Sequence, residues 1–196
     1  MNETKYKLLK ATSEIFIEDG IKGLSARSVA KRAGMSTIGI YSNFNGMQGL
    51  LDALYIEGFE KVTVAMDVSV EQLGIQGAIV KAINNYLEFA ENYDAHYRLI
   101  YGIRDSNYNP SPEARKVGAQ AFAKLTKLVS LMLPNDALLA EKQNLAMQFW
   151  AMSHGFVSLH NHPVTDMVPM QDWKQKAIDA VVLHMEAIRR DQQKVQ

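Results

Sequence analysis

Apolar residues recur at helical spacing along most of the chain, and no stretch alternates apolar and polar positions with a clean period of two. Leu8, Ala11, Ile15 and Phe16 share one face, which predicts a helix from Glu3 to Asp19 closed by Gly20. A short helix is expected after Ser25, a hydroxyl N-cap, ending at Gly34. Ser36 is expected to cap a third helix that runs through Asn43. Asn45 with Gln48 three residues on has the form of a capping box, opening a fourth helix from Met47 to Ala65. The same spacing predicts helices over Gln72–Asn92 and Asp94–Arg104. Ser111-Pro112-Glu113 opens another, with hydroxyl cap, proline at the first helical position and an acid in the first turn, stopping before Pro134. Two long helices are predicted over Ala137–His160 and Met170–Arg190. Loops fall at Asn107-Tyr108-Asn109-Pro110 and between His162 and Asp166. The expected fold is all-α, with about nine helices.

Within this pattern one stretch is unusual. From Ser25 to Phe44 two short amphipathic segments flank Ala33-Gly34-Met35-Ser36. Gly34 tolerates the positive φ of a tight turn. Val29, Ala30 and Ala33 lie on one face of the first segment, Ile40 and Phe44 on one face of the second. Small Ala30 lets the two approach closely. This is the spacing of a helix-turn-helix, whose second helix can enter a DNA major groove. Its chemistry suits that use. Ser36 and Thr37 bring hydroxyls and backbone N–H groups for phosphate oxygens. Ile38 is a further candidate contact, and Gly39 permits close backbone approach. Tyr41 offers a phenol to phosphate; Ser42 and Asn43 offer short polar groups, and an amide can pair with adenine. Ser25 and Arg27, on the preceding segment, and the N–H groups around Gly46 and Met47 complete the candidate DNA contacts.

Charge changes the picture modestly. The chain of 196 residues has a formal net charge of zero. Residues 1–50 nevertheless carry seven basic side chains against four acidic, and the remainder fourteen against seventeen. The basic surplus sits where phosphate contact is expected. Hydrophobic residues make up 47 % and charged residues 21 %, the balance of a globular chain. Cysteine is absent, which excludes disulfides and thiolate metal sites and suits a reducing cytoplasm. No apolar run approaches the roughly 18–20 residues that span a bilayer, and no signal peptide is read at the start. There is no glycine-rich phosphate loop, nucleophile elbow or metal-protease helix, so no enzyme activity, cofactor or metal is expected.

Residues from about Lys7 to Leu54 resemble the N-terminal domain of the TetR family of regulators. The resemblance is carried by Phe16-Ile17-Glu18-Asp19-Gly20, Leu24-Ser25, Val29 through Ser36, Ile40 through Phe44, and Leu50-Leu51. Phe149-Trp150-Ala151-Met152-Ser153-His154-Gly155-Phe156 is similar to the Trp-x-x-x-His-Gly signature of one TetR C-terminal subgroup, and Tyr97 through Tyr101 fits the same subgroup. The resemblance implies a DNA-binding head, residues 1–50, on a ligand-sensing and dimerising body, residues 51–196, linked by helix 47–65. It departs from the family at Met47, where a phosphate-binding lysine is usual, and at Asn43, where an aromatic residue or histidine is frequent.

These readings combine into an expected ligand-responsive repressor that binds double-stranded DNA as a homodimer on a palindromic operator. The rivals are a co-repressed or activating regulator, and an all-α small-molecule enzyme with a vestigial head. Tyr86, Phe89, Tyr97, Tyr101, Phe122, Phe149, Trp150 and His154 are candidates to line a pocket for a small apolar or amphipathic ligand. Trp150 and His154, one turn apart, equally fit a packed aromatic beside a hydrogen-bonded core histidine. His160-Asn161-His162 reads as a polar helix end rather than a metal site, because an i, i+2 pair diverges on a helix. The apolar stripe Ile178, Val181, Val182, Met185 and Ile188 of the last helix serves intramolecular core on its spacing alone. The resemblance implies that it also contributes, with Val157, to a four-helix dimer interface.

Overall fold

The computed structural model describes residues 2–101, 108–163 and 171–195. These form nine α-helices and no strand: α1 (Glu3–Asp19), α2 (Ala26–Ala33), α3 (Ile38–Phe44), α4 (Met47–Ala65), α5 (Val70–Asn92), α6 (Asp94–Tyr101), α7 (Pro112–Val129), α8 (Leu139–His160) and α9 (Trp173–Val195). The all-α expectation holds. Among the described residues, no helix is long and apolar enough to cross a membrane. The chain folds as two compact units, one of Met1–Lys61 with Asn92–Ala119 and one of Val62–Glu91 with Gln120–Gln196.

In the first unit the faces read from the sequence meet in one core. Leu8 and Phe16 of α1, Val29 of α2, Ile40 of α3 and Leu50 and Leu54 of α4 are buried together, with Ala95 and Leu99 of α6 packed among them. Arg32 forks onto the Glu18 carboxylate at 3.1 and 2.6 Å and reaches Glu14 at 3.6 Å, tying α2 to α1 at the surface. The Glu18 carboxyl is held below its usual range chiefly by that hydrogen bond. Asp52 gathers a second set of contacts. Its Oδ1 accepts from Tyr108 Oη at 2.8 Å and from the backbone N–H of Ser111 and Gln48 Nε2, each at 3.2 Å. Burial and this hydrogen bond push the Tyr108 phenol well above its ordinary value. One carboxylate thereby fixes the chain entering α7 against α4.

The same unit holds a polar cluster between α4 and α6. The two helices lie backbone-close at Gly58, where an added Cβ would stand 3.1 Å from Ile100 Cγ2 and 3.4 Å from His96 Cβ. Beside it Glu57 sits 3.5 Å from Nε2 of the buried His96 and 3.2 Å from Lys61 Nζ, while Lys61 lies 4.3 Å over the Tyr93 ring. His96, above all, holds the Glu57 carboxyl below the ordinary carboxylate range, against the cost of burial, with Lys61 adding to the effect.

In the second unit α8 packs on α9. Leu145, Ala146, Phe149 and Val157 are buried on the first, and Trp173, Ala177, Val181 and Met185 on the second. His160 stacks on Trp173 with ring centroids 4.6 Å apart, and the Phe149 ring meets His184 edge-on at 5.3 Å. Lys174 bonds Glu91 at 2.6 Å, Asn85 donates to the Ala65 carbonyl at 2.9 Å, and Lys124 pairs with Asp67.

Several boundaries differ from the sequence reading, each for a local reason. Thr37, not Ser36, occupies the N-cap of α3, and no side chain caps that helix. Asn45 closes α3 in the left-handed region instead of opening α4, and Gln48 turns to Asp52 and the Asn109 carbonyl, so no capping box forms there. Helix α5 begins at Val70 but breaks at Gly74 (φ 68°, ψ 171°) before resuming. Pro134 and Ala137 form a turn, and Glu141 accepts the Leu138 N–H at 2.7 Å, which delays α8 to Leu139. Asp172, at φ 60°, delays α9 to Trp173, and the polar tail continues it to Val195. Arg104, Asn107, the loop residues Val164 to Asp166, and Met167 and Met170 lie outside the described residues.

The Glu57 cluster predicts a pH dependence. An acid whose folded pKa is depressed stabilises the fold above its ordinary pKa, and that contribution disappears as pH falls through the depressed value. Glu57→Gln is therefore expected to lower stability in urea unfolding at pH 6, with the gap to the unaltered protein closing below about pH 4.

Candidate nucleic-acid interface

The recognition segment is held by few contacts. Helix α3 is seven residues long, too short to be stable alone in water. It contributes one fully buried side chain, Ile40, to the core of the first unit. Helix α2 is better fixed. Ser25 Oγ accepts from the Ser28 N–H at 3.1 Å, and Ser28 Oγ accepts from the Ser25 N–H at 2.9 Å. Gly34 ends α2 in the left-handed region (φ 66°, ψ 34°), its N–H bonded to Lys31 and that of Met35 bonded to Ala30. The turn between α2 and α3 thus has the conformation that the position of Gly34 predicted.

The far end of α3 depends on a residue absent from the sequence reading. An added Cβ at Gly49 would overlap the Phe44 carbonyl oxygen. Only glycine lets the first turn of α4 pass so close to the last residue of α3. The signal that points to it is a small residue two positions after the helix start, which is too common to stand out in one sequence. Gly46 is buried beside the Tyr41 ring, 3.7 Å from where its own Cβ would lie.

The expected DNA contacts divide into exposed and engaged groups. Ser25, Arg27, Ser36, Ile38, Tyr41 and Ser42 are exposed, with Ile38 at 73 % and Tyr41 at 62 %. Arg27 has no ion pair among the described residues, whereas Arg32 is spent on Glu18 and Glu14. Thr37 and Gly39 are half-buried. A Cβ on Gly39 would meet Leu8 of α1 at 3.8 Å, so this residue turns toward the core of its own unit. Asn43 is half-buried, and its amide nitrogen donates to the Gly39 carbonyl at 2.8 Å and to Ser42 Oγ at 3.3 Å. The amide nitrogen expected at adenine N7 is thus bonded within its own helix. The half-buried Met47 side chain packs against the core.

The comparisons with known proteins agree with this architecture. The profile described as bacterial regulatory proteins, tetR family, matches residues 8–54. The profile described as tetracyclin repressor-like, C-terminal domain, matches residues 79–182, more than half of the chain. The chain belongs to the TetR family. It is 24 % identical over 94 residues to the uncharacterized HTH-type transcriptional regulator YobS of Bacillus subtilis (strain 168), a match over 48 % of this chain and 49 % of that protein. The chain thus spans about half the length of the curated relatives it matches. In fold it is similar to a protein of unknown function from Rhodococcus sp. RHA1, with TM-score 0.74 and 22 % identity over 97 % of this chain and 96 % of that one. A tetR-family bacterial regulatory protein from Rhodococcus RHA1 is similar too, with TM-score 0.72 and 16 % identity over 96 % and 98 % of the two chains.

The residues expected to line a TetR ligand pocket fall in both units. Tyr97 and Tyr101 belong to the first, where their rings meet edge-on at 5.0 Å and Tyr101 meets Phe59 at 6.0 Å. Tyr86, Phe89, Phe122, Phe149, Trp150 and His154 belong to the second. Tyr86 lies 6.4 Å from Phe89, and Phe122 lies 6.0 Å from Trp150. Burial holds the His154 imidazole below its ordinary pKa. Sequence reasoning missed His184, whose Nε2 is shielded from solvent without a hydrogen-bond partner among the described residues. Of the residues expected at a dimer interface, Val157, Val181 and Met185 are buried within their own chain. Ile178, Val182 and Ile188 are half-buried, and Leu183 beside them is 66 % exposed.

Gly49→Ala tests the packing that positions α3. The overlap with Phe44 predicts a loss of at least about 2 kcal/mol in chemical denaturation. DNA binding should weaken at temperatures where the variant is still folded, because α3 must shift to make room.

Proposed function

We propose that this TetR protein is a DNA-binding transcriptional regulator that acts as a ligand-responsive repressor. One observation carries the reading: α3, anchored by Ile40, leaves Ile38 and Tyr41 projecting as the most exposed large apolar side chains described in their unit. Around them lie the exposed Ser36, Ser42 and Arg27, the last without an ion pair among the described residues, groups suited to phosphate. The protein acts in the cytoplasm as a homodimer. Two copies of α3 enter successive major grooves about 34–36 Å apart, so the operator is an approximate palindrome.

The dimer forms through α8 and α9. The fully buried Val157, Val181 and Met185 hold the two helices together within each copy, and Ile178, Val182, Leu183 and Ile188 supply the apolar face for the partner. The effector is a small apolar or amphipathic molecule bound in the second unit among Tyr86, Phe89, Phe122, Phe149, Trp150 and His154, with His184 Nε2 as a further polar contact. Binding favours a state with the wrong groove spacing and so releases DNA.

Selection of bound duplexes from a random pool is the deciding experiment. It should return a palindrome bound roughly 10³-fold or more above unrelated DNA; recovery of no preferred sequence refutes the regulator. Leu183→Arg should sediment as a monomer and lose operator binding, whereas dimers that persist refute the α8–α9 interface. Tyr41→Ala should weaken binding to every sequence by about tenfold, the worth of one phosphate hydrogen bond.

A further inference from the structure

The outward face of α3 carries an unusual chemistry for reading bases. No residue from Ile38 to Phe44 is charged, so the helix holds no arginine or lysine for the paired acceptors of guanine. Its amide is also committed. Asn43 Nδ2 donates to the Gly39 carbonyl and to Ser42 Oγ, and Ser42 Oγ itself donates to that carbonyl at 3.3 Å. The Ser42 hydroxyl and the Asn43 amide nitrogen thus both bond the Gly39 carbonyl of their own helix. What remains outward is Ile38, 73 % exposed, with Tyr41 one turn further on the same side.

Ile38 is the first residue of α3, the end that meets base edges when such a helix docks. Its β-branched side chain has one strongly preferred rotamer in a helix, so it is presented without much freedom to lose. Among the groups that base pairs display in the major groove, the C5-methyl of thymine is the apolar one. We infer that Ile38 is a specificity-determining residue that reads a thymine methyl in each half-site of the operator. This inference rests on the regulator reading above and adds the chemistry of one base position to it.

The test uses the full-length protein and the preferred duplex selected from the random pool. Each thymine is replaced in turn by deoxyuridine, which keeps the pairing and removes only the methyl. At one position per half-site the replacement should lower affinity about fourfold, the worth of one buried methyl. Ile38→Ala should bind the thymine duplex correspondingly more weakly and be indifferent to deoxyuridine at that position. Its thermal midpoint should match that of the unaltered protein, because Ile38 is outside the core. A preferred duplex whose affinity ignores every thymine methyl overturns the inference and leaves the regulator reading standing. So does a deoxyuridine penalty that persists undiminished in Ile38→Ala. A pool that yields no preferred sequence overturns both.

Discussion

The architecture of the candidate interface depends on the burial of Ile40. Helix α3 has seven residues, no side-chain cap and one fully buried side chain. Such a segment has no stability of its own, since nucleating a turn costs more than a few hydrogen bonds return. Ile40 inserts into a core already closed by Leu8, Phe16, Val29, Leu50 and Leu54, and thereby lends α3 the stability of its neighbours. Phe44 packs against the same core from the far end of the helix, and the opposite side of α3 stays available.

The surroundings of α3 fix its direction as well as its existence. Gly34 sets the entry angle through a left-handed residue, and Asn45 and Gly46, both with positive φ, set the exit. Gly49 then lets α4 pass against the Phe44 carbonyl. From there α4 is tied to the entrance of α7 by Asp52, and to α6 by close packing at Gly58 and the Glu57–His96–Lys61 cluster. The first unit therefore uses apolar burial for cohesion and buried or half-buried polar contacts for orientation. Those contacts have demanding geometry, which makes them suited to specifying one arrangement of helices.

The second unit distributes its apolar residues differently. Phe149, Val157, Val181 and Met185 are sealed inside, while Leu183 and the half-buried Ile178, Val182 and Ile188 lie toward the outside of α9. One helix thus carries two apolar faces, and a spacing argument alone does not separate them. Titratable groups lie inside as well: burial depresses the His154 pKa, and His184, its Nε2 shielded, meets the Phe149 ring.

The sequence by itself determined what depends on neighbours within a few residues. The spacing of Leu8, Ile15 and Phe16 specifies the buried face of α1; Ser25 and Gly34 bound α2, and Ser111-Pro112 opens α7. The helix-turn-helix and the family it belongs to are legible for the same reason, because the turn needs particular residues at fixed offsets. Tertiary structure alone decided the contacts that join distant segments. No local rule places Ala95 and Leu99 in the core around Ile40, brings Tyr108 to Asp52, or makes Gly49 obligatory through the carbonyl of Phe44. It also decided which polar groups stay available: Asn43 and Arg32 look alike in sequence to unengaged contacts, but one is bound to its own helix and the other to Glu18. Periodicity and capping are short-range properties that a chain carries wherever it goes. Which side of a residue faces its own core, and which is left for a partner, follows only from what the rest of the chain has already covered.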